Sequence, residues 1–223
     1  MTKSQPSSVP LTFDIERTAF IAADFENDCC AKEGKIAGSY EMQQERKTIK
    51  NTQAALQASR AAGIYVVHIA HETRPVSATV DETFPNVFAL IKSIGALVEG
   101  TWGAEIIPEL APVSGEPVVI KRAISGFYGT DLDRILRTHD INTLVVAGVL
   151  TNFAVEGLVR EGVDRGYHAI VLEDCCASNT TEMHDFFFTN ILSLLGVMSN
   201  STEYIQALKL NVATKRDQSL IID

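Results

Sequence analysis

Long apolar runs are missing from this chain. No stretch approaches the roughly 18 consecutive apolar residues of a membrane-crossing helix, and the opening MTKSQPSSVP carries no charged-then-apolar leader pattern. Basic residues are outnumbered, 19 Lys and Arg against 28 Asp and Glu, for a formal net charge of −9. That balance argues against nucleic acid and anionic membrane surfaces as partners. Cysteine is scarce, and its four copies stand as two adjacent pairs, Cys29-Cys30 and Cys175-Cys176. Adjacent pairs have neither the spacing of a zinc site nor that of a secreted disulfide framework, so buried free thiols are expected. With those classes set aside, the chain reads as a cytoplasmic globular protein.

What is present is core-forming sequence, since 46% of the 223 residues are apolar. Strand-type runs alternate with helical ones along the whole length. Strands are predicted at Thr18–Ala23, Ile64–Ala70, Val118–Lys121, Thr143–Ala147, Tyr167–Leu172 and Gly196–Ser199. Helices are predicted from Met42 to Ala62 with Gly63 as C-cap, and from Asp131 to Thr138 with Thr130 as N-cap. Others run from near Ala154 to Arg165, from Thr180 or Thr181 to Leu195, and onward from Ser201 or Thr202. Phe25 to Cys30 reads as loop, and a long connection from His71 to about Pro117 reads as a functional or lid-forming segment. The alternation predicts a three-layer α/β/α fold: a doubly wound, parallel, six-stranded sheet in the order 3-2-1-4-5-6, Rossmann-like in class. Residues 1–12 are expected to form a loose arm, 13–212 a single domain, and 213–223 a polar tail.

Such a sheet binds ligands at the carboxyl ends of its strands, beside the crossover switch point. Three features fall on that rim. Asp24 ends the first strand, Lys121 ends the third, and Gly148-Val149-Leu150-Thr151-Asn152-Phe153-Ala154 turns the fourth strand into a helix. Backbone N–H groups at such a corner point outward and favour negative charge. In the assumed order Lys121 lies two strands from Asp24, about 10 Å away, so its side chain has to lean across the second strand's end.

These segments resemble the isochorismatase-like hydrolases, the cysteine hydrolase superfamily that includes nicotinamidases and N-carbamoylsarcosine amidohydrolase. Asp24-Phe25-Glu26-Asn27-Asp28 is similar to the family's Asp-x-Gln-Asn-Asp, with Glu26 where Gln is usual. Lys121, Ser125-Gly126-Phe127 and Thr130-Asp131-Leu132 match its second segment, and Gly148 to Val155 its third. The resemblance covers about Arg17 to Ser201. It implies a thiolate nucleophile, a general acid–base Asp (Asp24), a charge-stabilising Lys (Lys121), and a cis peptide at Val149–Leu150. It also implies an oxyanion hole formed by the N–H groups of Leu150 and Ala154. The subunit habit it implies is a homodimer or homotetramer.

The nucleophile's position holds Ala154, and a methyl group cannot attack a carbonyl. Three explanations stand side by side. Ala154 replaces a Cys that makes this an amidohydrolase; or the chain is a natural, cysteine-independent Asp/Lys hydrolase of the vinyl-ether-cleaving kind; or it is an inactive binding or structural member. Cys29 and Cys30 follow Asp24 closely but have no basic neighbour and no evident helix N-terminus, so they are poor substitutes.

A small-molecule substrate, an amide or one bearing a carboxylate, is expected. Phe25, Trp102, Phe127 and Tyr128 are candidates for its pocket walls, and Arg74 for a two-pronged carboxylate contact beside His71. Asn27, Thr151 and Asn152 join them from the matched motifs. No cofactor is expected, and no metal, because His71 and Glu72 are adjacent and poorly placed to share an ion. His68 reads as a satisfied core histidine.

Overall fold

A computed structural model describes residues 11–74 and 84–219, with side chains to residue 211. Six parallel strands form one sheet in the order β3-β2-β1-β4-β5-β6, the predicted topology. They are β1 (Thr18–Ala23), β2 (Tyr65–His71), β3 (Val118–Lys121), β4 (Thr143–Val149), β5 (His168–Ala177) and β6 (Val197–Ser199). The central strands read as unbroken apolar runs because helices cover both faces: every residue of β1 and β4 is buried.

The helices are α1 (Asn27–Cys30), α2 (Tyr40–Arg46), α3 (Thr48–Ala62), α4 (Val87–Ser93), α5 (Leu132–Thr138), α6 (Glu156–Asp164), α7 (Thr181–Phe187), α8 (Ser193–Leu195) and α9 (Ser201–Ser219). One core, built on Phe20, Leu56, Val145, Leu172, Tyr204 and Leu208, packs α3 and α9 against the first face of the sheet. The second core, with Ile21, Leu136, Val146, Leu158 and Leu192, packs α5, α6 and the α7–α8 segment against the other. The Tyr204 hydroxyl is buried but paired with Ser59 Oγ at 2.8 Å, so that aromatic fills the core without an orphaned polar group.

Several boundaries differ from the expected ones. The long helix from Met42 is two, because Lys47 adopts a left-handed conformation (φ 57°); Asn51 pins the break by donating to Arg46 O at 3.0 Å and Asp174 O at 3.2 Å. Gly63 (φ 76°) does close α3 as expected. The fifth strand runs on through Glu173 to Ala177, past a register shift opposite Val146 and Gly148. Its polar residues are spent on neighbours: Asp174 accepts the N–H of Ser201 at 2.7 Å and so starts α9. Helix α5 begins at Leu132, one residue late, with Thr130 Oγ1 accepting the Leu132 N–H at 3.2 Å. Phe25–Cys30 is not all loop, since Asn27–Cys30 makes a helical turn. The tail from residue 213 is helical to Ser219. The loose-arm reading of residues 1–10 lies outside the described residues.

Candidate active site

The β4–α6 corner is the centre of the site. Gly148 is required there, because a Cβ would lie 2.7 Å from Ala23 O and 3.1 Å from Val155 Cγ2; strand β1 and the following helix close on the same backbone atom. The Val149–Leu150 peptide is cis. The helix opens earlier than the sequence suggests, with a π-type turn over Thr151–Val155 in which Leu150 O accepts the N–H of Phe153 at 3.1 Å and of Val155 at 3.3 Å. Ala154 therefore sits at the end of the first turn, buried.

Parallel register brings Asp24 to this corner: Ala23 pairs with Gly148, so Asp24 leaves β1 level with Val149. Its N–H reaches Ile69 O at 2.9 Å, and its left-handed backbone (φ 56°) then turns the chain sharply. Lys121 does lean across the end of β2. Its Nζ lies 2.8 Å from Asp24 Oδ2 and also donates to Ile124 O at 2.9 Å and Ala123 O at 3.2 Å. Both side chains are nearly inaccessible, 4% exposed for Lys121 and 12% for Asp24. Burial raises the Asp24 carboxyl above its usual range, and the Lys121 ammonium opposes that rise. The other oxygen, Oδ1, has no hydrogen-bond partner among the described residues. A carboxylate with one oxygen fixed and one unengaged is suited to taking up and returning a proton.

A second carboxyl shares the site. Glu26 is fully buried, and its Oε1 accepts the backbone N–H of His71 at the end of β2. Burial and the Asp24 charge push its pKa well above the ordinary value. His71 is buried too; desolvation and the Lys121 and Arg122 charges lower it to about 3, so it is neutral. Cys29 and Cys30 lie in the turn that follows, and burial together with Glu26 pushes both thiols up. Although α1 gives them a helical turn, they are held as thiols. All four cysteines are free and buried, as expected.

The remaining candidates divide. Thr151 is buried with its hydroxyl 2.8 Å from His184 Nδ1, and Asn152 Oδ1 accepts Ser178 Oγ at 2.5 Å, so both brace the corner. Asn27 donates to Trp102 O at 2.7 Å and ties the 102–104 turn to the site. Trp102 and Tyr128 are half-exposed, and Tyr128 adjoins Phe127 away from the Asp24–Lys121 pair. Phe25 and Phe127 are each packed into a core cluster, and Phe127 stacks on Tyr167 at 5.7 Å, near the opposite end of β5. Arg74 is committed to Glu99 through a two-pronged pair at 2.5 and 2.8 Å, which leaves it a surface ion pair. His68 is a core histidine, 2.8 Å from Glu116 Oε2.

Glu26 is not among the residues expected from the sequence to act in the site; a carboxyl two positions after a strand-ending Asp is the signal that points to it. As for metals, Glu72 faces Arg122 at 3.4 Å rather than joining His71. Among the described residues, the group with metal-ligand spacing is Glu173, His184 and Asp185. Arg46 already lies against it, 2.9 Å from Glu173 and 3.9 Å from Asp185, supplying the positive charge an ion would bring.

Comparison with known proteins identifies the family and the fold. The Isochorismatase domain family matches residues 18–203. The chain is similar to the ureidoacrylate amidohydrolase RutB of Acinetobacter baylyi, 30% identical over 94% of this chain and 90% of that protein. Among solved structures, a cysteine hydrolase from Pseudomonas syringae pv. phaseolicola superposes with a TM-score of 0.79 at 27% identity, covering 93% of this chain and 99% of that one. An isochorismatase-like hydrolase from Alkaliphilus metalliredigens does so with a TM-score of 0.73 at 32% identity, covering 86% and 98%.

Proposed function

The chain belongs to the isochorismatase family, and from that premise we propose that it hydrolyses an amide or ureide C–N bond of a small molecule at the Asp24–Lys121 pair, with water in place of a cysteine nucleophile. The observation that carries this reading is the buried ion pair itself: Asp24 Oδ2 stands 2.8 Å from Lys121 Nζ while Oδ1 has no hydrogen-bond partner among the described residues, on the strand that pairs with β4 up to Gly148. Two thirds of a Cys-Asp-Lys apparatus is in place, and what is missing is the group that attacks. Water activated by Asp24 fills that role, Lys121 keeps the carboxylate ionised, and the N–H groups of Leu150 and Ala154 receive the developing oxyanion. Similarity to a ureidoacrylate amidohydrolase supports a substrate with a ureido or amide group and a carboxylate. Thr151 and Asn152 frame the corner, and Trp102, whose turn is tied to Asn27, is an aromatic group placed to contact the substrate's remainder.

The test is ammonia release from a panel of ureido acids and primary amides, with and without an alkylating agent. Turnover that alkylation leaves untouched is expected, because all four thiols are buried. Ala154→Cys should raise the rate and make it alkylation-sensitive, since a thiol at a helix N-terminus beside a lysine ionises readily. Cleavage of a vinyl ether but of no amide would favour proton-transfer chemistry at the same pair. No turnover by either form would favour the inactive, ligand-binding reading.

A homodimer or homotetramer is part of the proposal, supported by the exposed apolar side chains of Leu194 and Val197 beside the β6 edge. Sedimentation velocity should give a species at two or four times the 24.3 kDa chain mass; a monomer at micromolar concentration would remove it.

A further inference from the structure

We propose that Glu26 is a second proton-transfer group of this site: the acid that protonates the departing nitrogen while Asp24 serves as the base. The inference rests on the hydrolase reading above and deepens it.

The argument begins with placement. Glu26 follows Asp24 by two residues, and the left-handed turn at Asp24 sends the intervening Phe25 into the core and brings Glu26 back over the sheet rim. Its backbone is held by the bridge to Ile106 and the bond from Asn27 N–H to Glu105 O at 2.9 Å. Oε1 accepts the N–H of His71, the last residue of the strand lying between β1 and β3. Lys121 crosses that same strand end to reach Asp24. Two carboxyls and one ammonium therefore converge on one buried rim.

Charge balance follows from this. Burying an unpaired carboxylate is costly, and such groups keep a proton instead. Among the described residues, Lys121 is the cation paired within the site, and its Nζ is 2.8 Å from Asp24 Oδ2. The other groups facing Glu26 add no positive charge: His71 is neutral, and the thiols of Cys29 and Cys30 are protonated. Arg122, beyond His71, is paired with Glu72. The ammonium holds Asp24 ionised, and Glu26 retains the proton. Burial and the Asp24 charge both drive Glu26 in that direction. Two carboxyls pushed apart in this way take the roles of base and acid.

A merely structural Glu26 would pin the end of β2 through Oε1, and a Gln would do so equally well. The second oxygen, Oε2, is buried with no hydrogen-bond partner among the described residues, as is Asp24 Oδ1. Neither contributes to that pin. The proposal assigns both to the reacting molecule.

The step balances without any added reagent. Asp24 takes a proton from water as the new C–O bond forms, leaving a tetrahedral oxyanion. The oxyanion re-forms C=O, the C–N bond breaks, and Glu26 gives its proton to the nitrogen. Asp24 then passes its proton to the Glu26 carboxylate, restoring both groups and releasing an acid and an amine.

The experiment pairs Glu26→Gln with infrared spectroscopy and kinetics on the intact chain. The wild type should show a protonated-carboxyl C=O band at neutral pH, sensitive to D2O and lost in Glu26→Gln. In Glu26→Gln, kcat should fall by about 10²–10⁴-fold, with KM within a few-fold and the thermal midpoint unchanged. The wild-type rate should decline on the alkaline side as Glu26 loses its proton, and that limb should disappear from the variant's residual activity. If Glu26→Gln removes no band, or retains full rate and the alkaline limb, the proposal falls. If the band is present but the wild type turns over no member of the substrate panel, the hydrolase reading falls, and the acid role with it. Band loss and turnover thus fail separately.

Discussion

Asp24→Asn removes turnover while leaving the fold standing. The substitution keeps the side chain's shape and an oxygen for Lys121, whose Nζ now lies 2.8 Å from Oδ2. What it removes is the ability to accept a proton from water, worth about 10²–10⁴-fold in rate for a positioned base. The loss should appear in kcat and kcat/KM together, because the base acts in the transition state rather than in substrate binding. Circular dichroism should be superimposable on that of the wild type. Some stability is lost as well, since Lys121 becomes a buried ammonium without a counter-charge. Retention of most of the rate in Asp24→Asn would mean that proton transfer runs elsewhere, and the proposed function would have to be abandoned.

The second large effect is on stability. Lys121→Met preserves chain length and apolar stem but deletes the buried cation that holds Asp24 and donates to Ala123 O and Ile124 O. Breaking a buried pair by removing one partner costs about 3–5 kcal/mol, or roughly 6–20 °C in thermal midpoint for a chain of this size. The loss depends on pH in a defined sense. The Asp24 carboxyl already sits above its ordinary value in the fold, and without Lys121 it rises further. A group with a raised folded pKa binds more protons folded than unfolded, so it favours the fold at low pH and opposes it as pH rises. The gap between wild type and variant should therefore be smallest near and below the ordinary Asp value of 3.8 and widen above it. A gap independent of pH would show that the loss comes from packing alone. The double variant Asp24→Asn/Lys121→Met should lose less than the two single losses added, because each removes the other's partner.

Much of this protein could be read without coordinates. Strands β1 and β4 announce themselves as unbroken apolar runs because both faces of a parallel sheet are covered. The alternation with helices then leaves one ordinary topology, and the polar residues that end strands mark the rim. Other features depended on contacts that a local pattern does not encode. Lys47 breaks the α2–α3 run although lysine is a good helix former; Asn51, tied to Asp174 on a distant strand, holds that break. Strand β5 continues through Glu173 and Asp174 because α9 and Arg46 satisfy their charges. Phe127 and Phe25 carry the same apolar bulk as pocket aromatics, and only the packing shows that they face the core.

The Asp24–Ala154 corner shows the division most directly. Residue identity alone determined the groups available there: a carboxyl at Asp24, an amine at Lys121 and a methyl group at Ala154. That follows because a side chain's reactive atoms are given by its covalent structure. Tertiary structure decided how those groups are charged. Asp24 and Lys121 are separated by 97 residues in sequence, yet strand order and the reach of one side chain close the distance to 2.8 Å. The same burial, with the Asp24 charge, raises the Glu26 carboxyl well above its ordinary pKa. Protonation is set by solvent and neighbouring charge, and both are fixed only when the strands β1, β2 and β3 lie side by side.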